Sequence, residues 1–233
     1  METRSVRAFR IALTALVAMF AAVSPAFAGP PLICHAFDIG NAKSLPWVSH
    51  DWNLNGGEIY DTHELAKDTI AILDANQVTL VHMETLRRAT LYARKDAQAA
   101  KQLLTMLTAR AEVAENPGHP DALAVFDAGY LAEAYKQWLG EGGQNPANGM
   151  DGYGLVKKAL GFRGNDGQME FAAALITLSG PARENQEHAQ KAMDGAKTDA
   201  LLARNLNTRF LGAGSQTMAE MMQRNATTKV ARE

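Results

Sequence analysis

The sequence predicts an all-α protein, built as a stack of helical hairpins behind an irregular N-terminal cap. Three observations favour this fold class. From residue 61 to residue 211, apolar residues recur at spacings of three and four, as they do along one face of an α-helix. No segment after residue 60 shows the alternating pattern of a strand. Alanine is frequent and aromatic residues make up 7% of the 233 residues, which favours closely packed helices.

Residues 1–28 have the pattern of a secretory signal peptide. Three arginines precede an apolar stretch that ends in Ala26-Phe27-Ala28, so cleavage is expected before Gly29. Pro25 interrupts the apolar run before it reaches the roughly 20 residues that a membrane span requires. We therefore expect an exported protein, periplasmic or extracellular, with no membrane span after cleavage of the signal.

Residues 29–60 are predicted to form an irregular leader that packs on the helices. The segment contains several prolines and glycines together with Trp47 and Trp52. These two tryptophans either cover the apolar end of the helical stack or contact a partner.

Residues 61–140 are predicted to form the first helical hairpins. Asp61 followed by Glu64 resembles a capping box at the start of the first helix. A second helix is expected through "TLVHMETLRRATLYAR", with apolar positions from Leu80 to Leu91 on one stripe. A third is expected from Asp96, and a fourth through "DALAVFDAGYLAEAYKQWL".

The second half of the chain is predicted to repeat this organisation. Residues 141–151 form a glycine-rich linker, residues 152–212 a second set of helical hairpins, and residues 213–233 a frayed helix and polar tail. An offset of 70 residues aligns similar residues, for example Asp96 with Asp166 and Gln98 with Gln168. This offset equals two units of about 35 residues, a length typical of helical repeats.

Residues 121–146 resemble a tetratricopeptide repeat in their second half, "AGYLAEAYKQWLGEGGQNP". The matching positions are Gly129, Leu131, Glu133, Ala134, Trp138 and Pro146. The match departs upstream, where "ENPGHP" stands at the expected start of the repeat's first helix. The resemblance implies a solenoid of stacked helix pairs, in which Gly129 and Ala134 allow close helix approach and Trp138 fills a groove between neighbours. It implies no catalytic site.

Cys34 is the only cysteine and precedes His35. It is a buried small side chain, part of an intermolecular disulfide, or a reactive or metal-binding thiolate. Copper is one possible cofactor, because Cu(I) prefers sulfur ligands and Met218, Met221 and Met222 form a cluster that could join Cys34 and His35. An apolar helical stripe explains these methionines equally well. C-type haem is disfavoured, because Pro31 replaces the first cysteine of its attachment motif.

The sequence contains no complete catalytic motif. His63-Glu64 begins a zinc-protease pattern, but Lys67 occupies the position of the second histidine. The glycine-rich segment lacks the lysine of a phosphate-binding loop, and no serine lies in a Gly-x-Ser-x-Gly elbow. The net charge of −2 disfavours nucleic-acid binding. A helical hydrolase or lyase is therefore the weakest of the functional hypotheses.

Two stronger functional hypotheses come from the sequence. The first is an exported scaffold that binds a protein or peptide, with Trp47, Trp52, Arg87 and Arg88 as candidate partner-binding residues. The basic pair Arg87-Arg88 is also explained as part of a solvated helix face. The alternative function is a periplasmic copper-binding or thiol-redox protein centred on Cys34 and His35. The sequence does not indicate an oligomeric state.

Overall fold

The computed structural model describes residues 30–47, 60–115, 118, 120–140, 145–164, 166–178, 180 and 182–211. These residues form eight α-helices and one short 3-10 helix, with no strand among them, which confirms the all-α class. After the 3-10 helix Thr62–Glu64 come α1 (Leu65–Asp74), α2 (Thr79–Ala93), α3 (Ala97–Ala114), α4 (Ala122–Leu139), α5 (Gly152–Arg163), α6 (Gly167–Ile176), α7 (Ala182–Gly195) and α8 (Ala200–Leu211).

Aspartate side chains cap five of these helices at their N-termini. Each carboxylate accepts hydrogen bonds from backbone N–H groups of the first turn, which the helix itself leaves unpaired. The capping residues are Asp96, Asp121, Asp151, Asp166 and Asp199. The 70-residue offset thus relates two caps, those of α3 and α6.

The start of the first helix differs from the prediction. Asp61 does act as a cap, but its carboxylate accepts from His63 N in a 3-10 turn, and α1 begins only at Leu65. The carboxylate of Glu64 pairs with Lys67 at 2.6 Å. The capping-box prediction was therefore wrong, because the Glu64 side chain pairs with Lys67 and not with the backbone of Asp61. The segment is helical as expected.

Helix α2 is almost entirely buried. Each of its residues except Arg88 is buried, including the polar side chains of His82, Glu84, Thr85 and Arg87. The predicted apolar stripe from Leu80 to Leu91 does face the core. The opposite side of the helix is covered as well, by the leader.

The leader, residues 30–47, is irregular as predicted and packs across several helices. Leu32, Ile33, Phe37 and Leu45 are buried in the common core. The Phe37 ring meets Phe171 of α6 edge-on, with ring centroids 6.0 Å apart. Backbone and amide groups of Asp38 and Asn205 join the leader to α8. The leader therefore lies against the helices over its described length.

Helices α4 and α5 approach closely at a pair of glycines. A Cβ atom added to Gly129 would lie 2.6 Å from Gly152 O, and one added to Gly152 would lie 2.6 Å from Gly129 O. Between the two helices, the described part of the predicted linker forms a packed turn in which Asn145 and Ala147 are buried. Close helix approach at Gly129 is thus confirmed. A tetratricopeptide-like solenoid is not confirmed by this arrangement, and the domain boundaries stay a prediction.

Candidate functional site

A buried ionic cluster on α2 holds the leader in place. The Glu84 carboxylate accepts from Arg87 Nε at 2.8 Å, Arg87 Nη2 at 3.0 Å, Arg88 Nε at 2.7 Å and Phe37 N at 2.9 Å. The guanidinium groups also donate to leader carbonyls, from Arg87 to Ile33 O and from Arg88 to Leu45 O. Burial raises the pKa of Glu84, but the hydrogen bonds and charges of the two arginines lower it by a larger amount. The net pKa lies below the usual value, so the carboxyl is ionised.

Arg87 and Arg88 are therefore occupied by the chain itself. Arg87 is 3% exposed and does not lie on a solvated helix face, so that interpretation was wrong for this residue. Its charge is neutralised by the buried Glu84, which the sequence places three residues earlier. Arg88 is half-buried at the edge of the same cluster. Their proposed role in partner binding stays an untested prediction.

The structure describes three of the predicted aromatic, sulfur-containing and metal-ligating residues, namely Cys34, His35 and Trp47. Trp47 is half-buried and meets the Tyr92 ring edge-on at 5.5 Å. Cys34 and His35 are half-buried in a turn where Cys34 N donates to Pro30 O. Among the described residues, no group of three or more His, Cys, Asp and Glu side chains is arranged to hold a metal. Trp52, Met218, Met221 and Met222 lie outside the described residues, so the copper site stays a prediction.

A second buried pair joins α2 to α4. His82 Nδ1 lies 2.7 Å from Asp127 Oδ1, and both side chains are 2% exposed. His82 Nε2 lies 3.2 Å from Asn76 O, an atom that can only accept, so Nε2 carries a proton. One further proton must lie between Nδ1 and the carboxylate. The pair is therefore either an imidazolium with a carboxylate or a neutral imidazole with a carboxylic acid.

The pKa values of this pair reflect their shared proton. Burial lowers the pKa of His82, but the negative charge and hydrogen bond of Asp127 raise it more, so the net direction is upward. Burial raises the pKa of Asp127 more than the charge of His82 lowers it. Both shifts keep the proton on the pair at higher pH.

Tyr153, His188 and Glu170 form a hydrogen-bonded chain across α5, α7 and α6. Tyr153 OH lies 2.6 Å from His188 Nε2, and His188 Nδ1 lies 2.5 Å from Glu170 Oε2. Burial raises the pKa of Glu170, but hydrogen bonds to His188 and Lys191 lower it by a larger amount, so the net shift is downward. The pKa of Tyr153 is raised, mainly by burial and then by a hydrogen bond to Glu184. The raised pKa disfavours a phenolate nucleophile. These hydrogen bonds join α5, α6 and α7, and their side chains line none of the three pockets described below.

A polar cavity of about 390 Å³ lies where α2, α6 and α8 begin. Its polar groups are bonded to one another. Arg163 pairs with Asp166 at 3.0 Å, and Gln168 bridges Leu80 N and the Asp199 carboxylate. These bonds satisfy the helix ends and leave this cavity a weak candidate for a ligand site.

The largest described depression is a groove of about 890 Å³ along α3. One wall is α3 itself, and the other is the turn that leads into α5, with Pro146 and Met150. The groove combines exposed polar side chains with apolar surface. Its lining consists of Ala97, Gln98, Lys101, Leu104, Thr105, Thr108, Ala109, Glu112, Asn145, Pro146 and Met150. We refer to it as the α3 groove and regard it as the candidate functional site.

The outer surface of α3 also exposes apolar side chains. Val113 is 78% exposed and Met106 is 40% exposed, and both belong to the same helix as the groove. A shallower depression of about 550 Å³ adjoins Val113 and Ala109. Helix α3 therefore presents more accessible apolar surface than its neighbour α2.

No protein-family model matches this chain, and neither the curated proteins nor the solved structures contain a significant match. No helix within the described ranges is both long and apolar enough to cross a membrane. The site must therefore be judged from its own residues.

Sequence analysis missed the α3 groove. A signal for it was present in α3, because Lys101, Thr105, Thr108 and Glu112 follow a spacing of four, three and four residues. This spacing places them on one helix face, on the other side of α3 from the buried residues Leu103 and Leu107. The second wall could not be found this way, because Pro146 and Met150 come from a segment more than thirty residues later.

Proposed function

We propose that this chain is an exported helical scaffold that binds a peptide segment of another protein in the α3 groove. The observation that carries the proposal is the groove itself, an open channel of about 890 Å³ with both polar and apolar lining. Recognition of a peptide requires apolar surface for side chains and polar groups that fix its register.

The packing of the helices supports a scaffold of repeated pairs. Most contacting helices are neighbours or next-but-one neighbours in the chain, such as α4 with α5 and α2 with α4. In tetratricopeptide-like arrays this pattern creates extended surfaces that bind peptides. The contact of α2 with α6 joins more distant elements, and it gives the scaffold a common core.

The length of the groove favours a peptide over a small molecule. The lining on α3 extends from Ala97 to Glu112, about four turns of helix or roughly 22 Å at 1.5 Å per residue. A small metabolite would occupy a fraction of this length. An extended segment of six or seven residues would fill it.

The proposal is tested by blocking the groove. Thr105 is exposed and lines it, so Thr105→Trp should fill the channel without disturbing the core. Gln102→Trp is the matched control, because Gln102 is exposed on the same helix and is not part of the lining. Peptides are selected on the purified protein from a random library, and their affinities are measured by fluorescence anisotropy.

We expect the selected peptides to bind the wild type and Gln102→Trp equally and to bind Thr105→Trp at least about tenfold more weakly, a loss of roughly 1.4 kcal/mol. Circular dichroism should show the same helix content in all three proteins. Equal affinity for Thr105→Trp, or a selection that yields no binding peptide, would refute the proposal.

A further inference from the structure

We infer that the α3 groove selects peptides that carry one acidic and one basic side chain four residues apart. The inference rests on the peptide-binding function proposed above and adds the charge pattern of the ligand. It follows from the two charged side chains of the lining, Lys101 and Glu112.

Lys101 and Glu112 lie on the same face of α3. Eleven residues correspond to about three turns of an α-helix, so the two positions differ by only ~20° around the helix axis. The rise between them is about 16 Å. The groove is therefore positive toward one end and negative toward the other.

Neither charge is used within the described part of the protein. Nearby charges on α3 and directly after it are paired, since Arg110 binds Asp74 and the carboxylate of Glu115 lies 2.5 Å from Lys158 Nζ. No described ion pair or hydrogen bond involves the side chains of Lys101 or Glu112. Both are exposed, so a ligand would neutralise them at little cost in desolvation.

The surface between the two charges is both apolar and polar. Its apolar residues are Leu104, Ala109, Pro146 and Met150, and Thr105 and Thr108 lie on the same helix face as the charges. Two of the polar groups are already used, because Thr108 Oγ1 donates to Leu104 O at 2.8 Å and Asn145 Nδ2 donates to Gly140 O at 2.7 Å. The middle of the groove therefore offers Leu104 and Met150 as contacts for an apolar side chain.

These dimensions define the ligand. An extended chain advances about 3.3 Å per residue and its successive side chains point to opposite faces, so two side chains that both face α3 are an even number of residues apart. Four residue steps cover about 13 Å, and the long acidic and basic side chains of the ligand span the remaining ~3 Å. The complementary ligand is a segment of five residues with an acidic side chain opposite Lys101, a basic one opposite Glu112 and an apolar one midway between them. Either chain direction satisfies this pattern.

Three blocked pentapeptides test the charge pattern independently of chain direction. They are the mixed peptide Glu-Ser-Leu-Ser-Lys, an acidic peptide with Glu at both ends and a basic peptide with Lys at both ends. Their affinities are measured by isothermal titration calorimetry for the wild type, Lys101→Glu, Glu112→Lys and the double variant. All measurements are made at low and at high salt.

The wild type should bind the mixed peptide about three- to fivefold more tightly than either of the others, the range of one exposed ion pair. Lys101→Glu should prefer the basic peptide and Glu112→Lys the acidic one. The double variant should prefer the mixed peptide again. These preferences should weaken at high salt, because exposed charges are screened.

The outcomes separate the two proposals. If all proteins bind the three peptides equally, and Thr105→Trp still abolishes binding, the charge pattern is refuted and the peptide-binding function stands. If the wild type binds none of the three while library-selected peptides do bind, the charge pattern is again refuted. If no peptide of any kind binds, both the charge pattern and the peptide-binding function are refuted.

Discussion

At the scale of single residues, the polar side chains of α2 determine how the leader is attached. Glu84 is fully buried and accepts four hydrogen bonds, three of them from arginine side chains. A buried charge is tolerated only where such partners replace water. The cluster therefore stabilises the position of the leader as long as it stays complete.

Glu84→Gln should destabilise the protein strongly. The substitution keeps the size of the side chain but removes the charge that neutralises the buried Arg87. We expect the free energy of unfolding to fall by about 3–5 kcal/mol, the usual effect of breaking a buried pair. Urea denaturation monitored by circular dichroism measures the change.

Glu64→Gln is the control for this experiment. It removes the same charge from an exposed ion pair, in which the side chain of Lys67 is 78% exposed. Little change is expected there, because solvent screens the pair. Similar effects of the two substitutions would contradict the assigned role of Glu84.

The His82–Asp127 pair predicts a dependence of stability on pH. The folded pKa of His82 is raised above the unfolded value of about 6.5. The stabilising contribution of the bound proton is thus complete below about pH 6.5, and it is lost as the pH rises through the folded pKa. The slope in that interval is at most about 1.4 kcal/mol per pH unit for one proton.

The double substitution His82→Gln with Asp127→Asn isolates this contribution, since neither amide titrates. The free energy of unfolding is measured between pH 6 and pH 9 for the wild type and the variant. We expect the difference between the two proteins to shrink as the pH rises. A constant difference over that range would show that the pair holds no extra proton.

At the scale of secondary-structure elements, the contact between α4 and α5 depends on glycine. Gly129→Ala would bring a methyl group to within 2.6 Å of Gly152 O, a backbone atom that cannot move aside alone. The expected loss is about 1–3 kcal/mol, as for an overpacked core. Gly161→Ala is the matched control, because Gly161 is an exposed helical glycine of α5 with open space around it.

The control substitution should change the stability of the protein in the opposite direction. Alanine favours helix over glycine by roughly 0.5–1 kcal/mol, so Gly161→Ala is expected to stabilise the protein. Thermal unfolding of both variants measures the two effects. A stabilising Gly129→Ala substitution would mean that α4 and α5 do not meet at this residue.

The elements themselves were largely predictable, because their signals are local. The three-and-four spacing and residues such as Asp96 and Asp121 predicted where the helices form. The burial of Glu84 and Arg87 was not predictable in this way. A polar residue is assigned to the surface unless its partner is known, and here one partner, Phe37 N, lies 47 residues away in the sequence.

The site was less predictable than the fold for a related reason. The stripe from Lys101 to Glu112 is visible in the sequence, but a polar stripe on a helix normally indicates a solvated face. It becomes one wall of a groove only because the turn at Pro146 and Met150 packs beside it. That contact depends on the close approach of α4 and α5 and so on long-range packing.

At the scale of the whole molecule, the leader and helices share one core. The leader is bonded to α2 through Glu84, to α4 through Gln137 and to α8 through Asn205. The α3 groove lies on the other side of α3 from the buried residues Leu103 and Leu107. A scaffold with one shared core and an exposed groove is the arrangement that the proposed function requires.

The most direct test of the central claim is to map a bound peptide by nuclear magnetic resonance. A selected peptide is titrated into the isotopically labelled protein, and the shifts of backbone amide signals are followed. The account predicts the largest changes at residues 97–112 and 145–150, the two walls of the groove, with little change at the Tyr153–His188 contact. Changes concentrated anywhere else, or none at saturating peptide, would contradict the assignment of the α3 groove as the binding site.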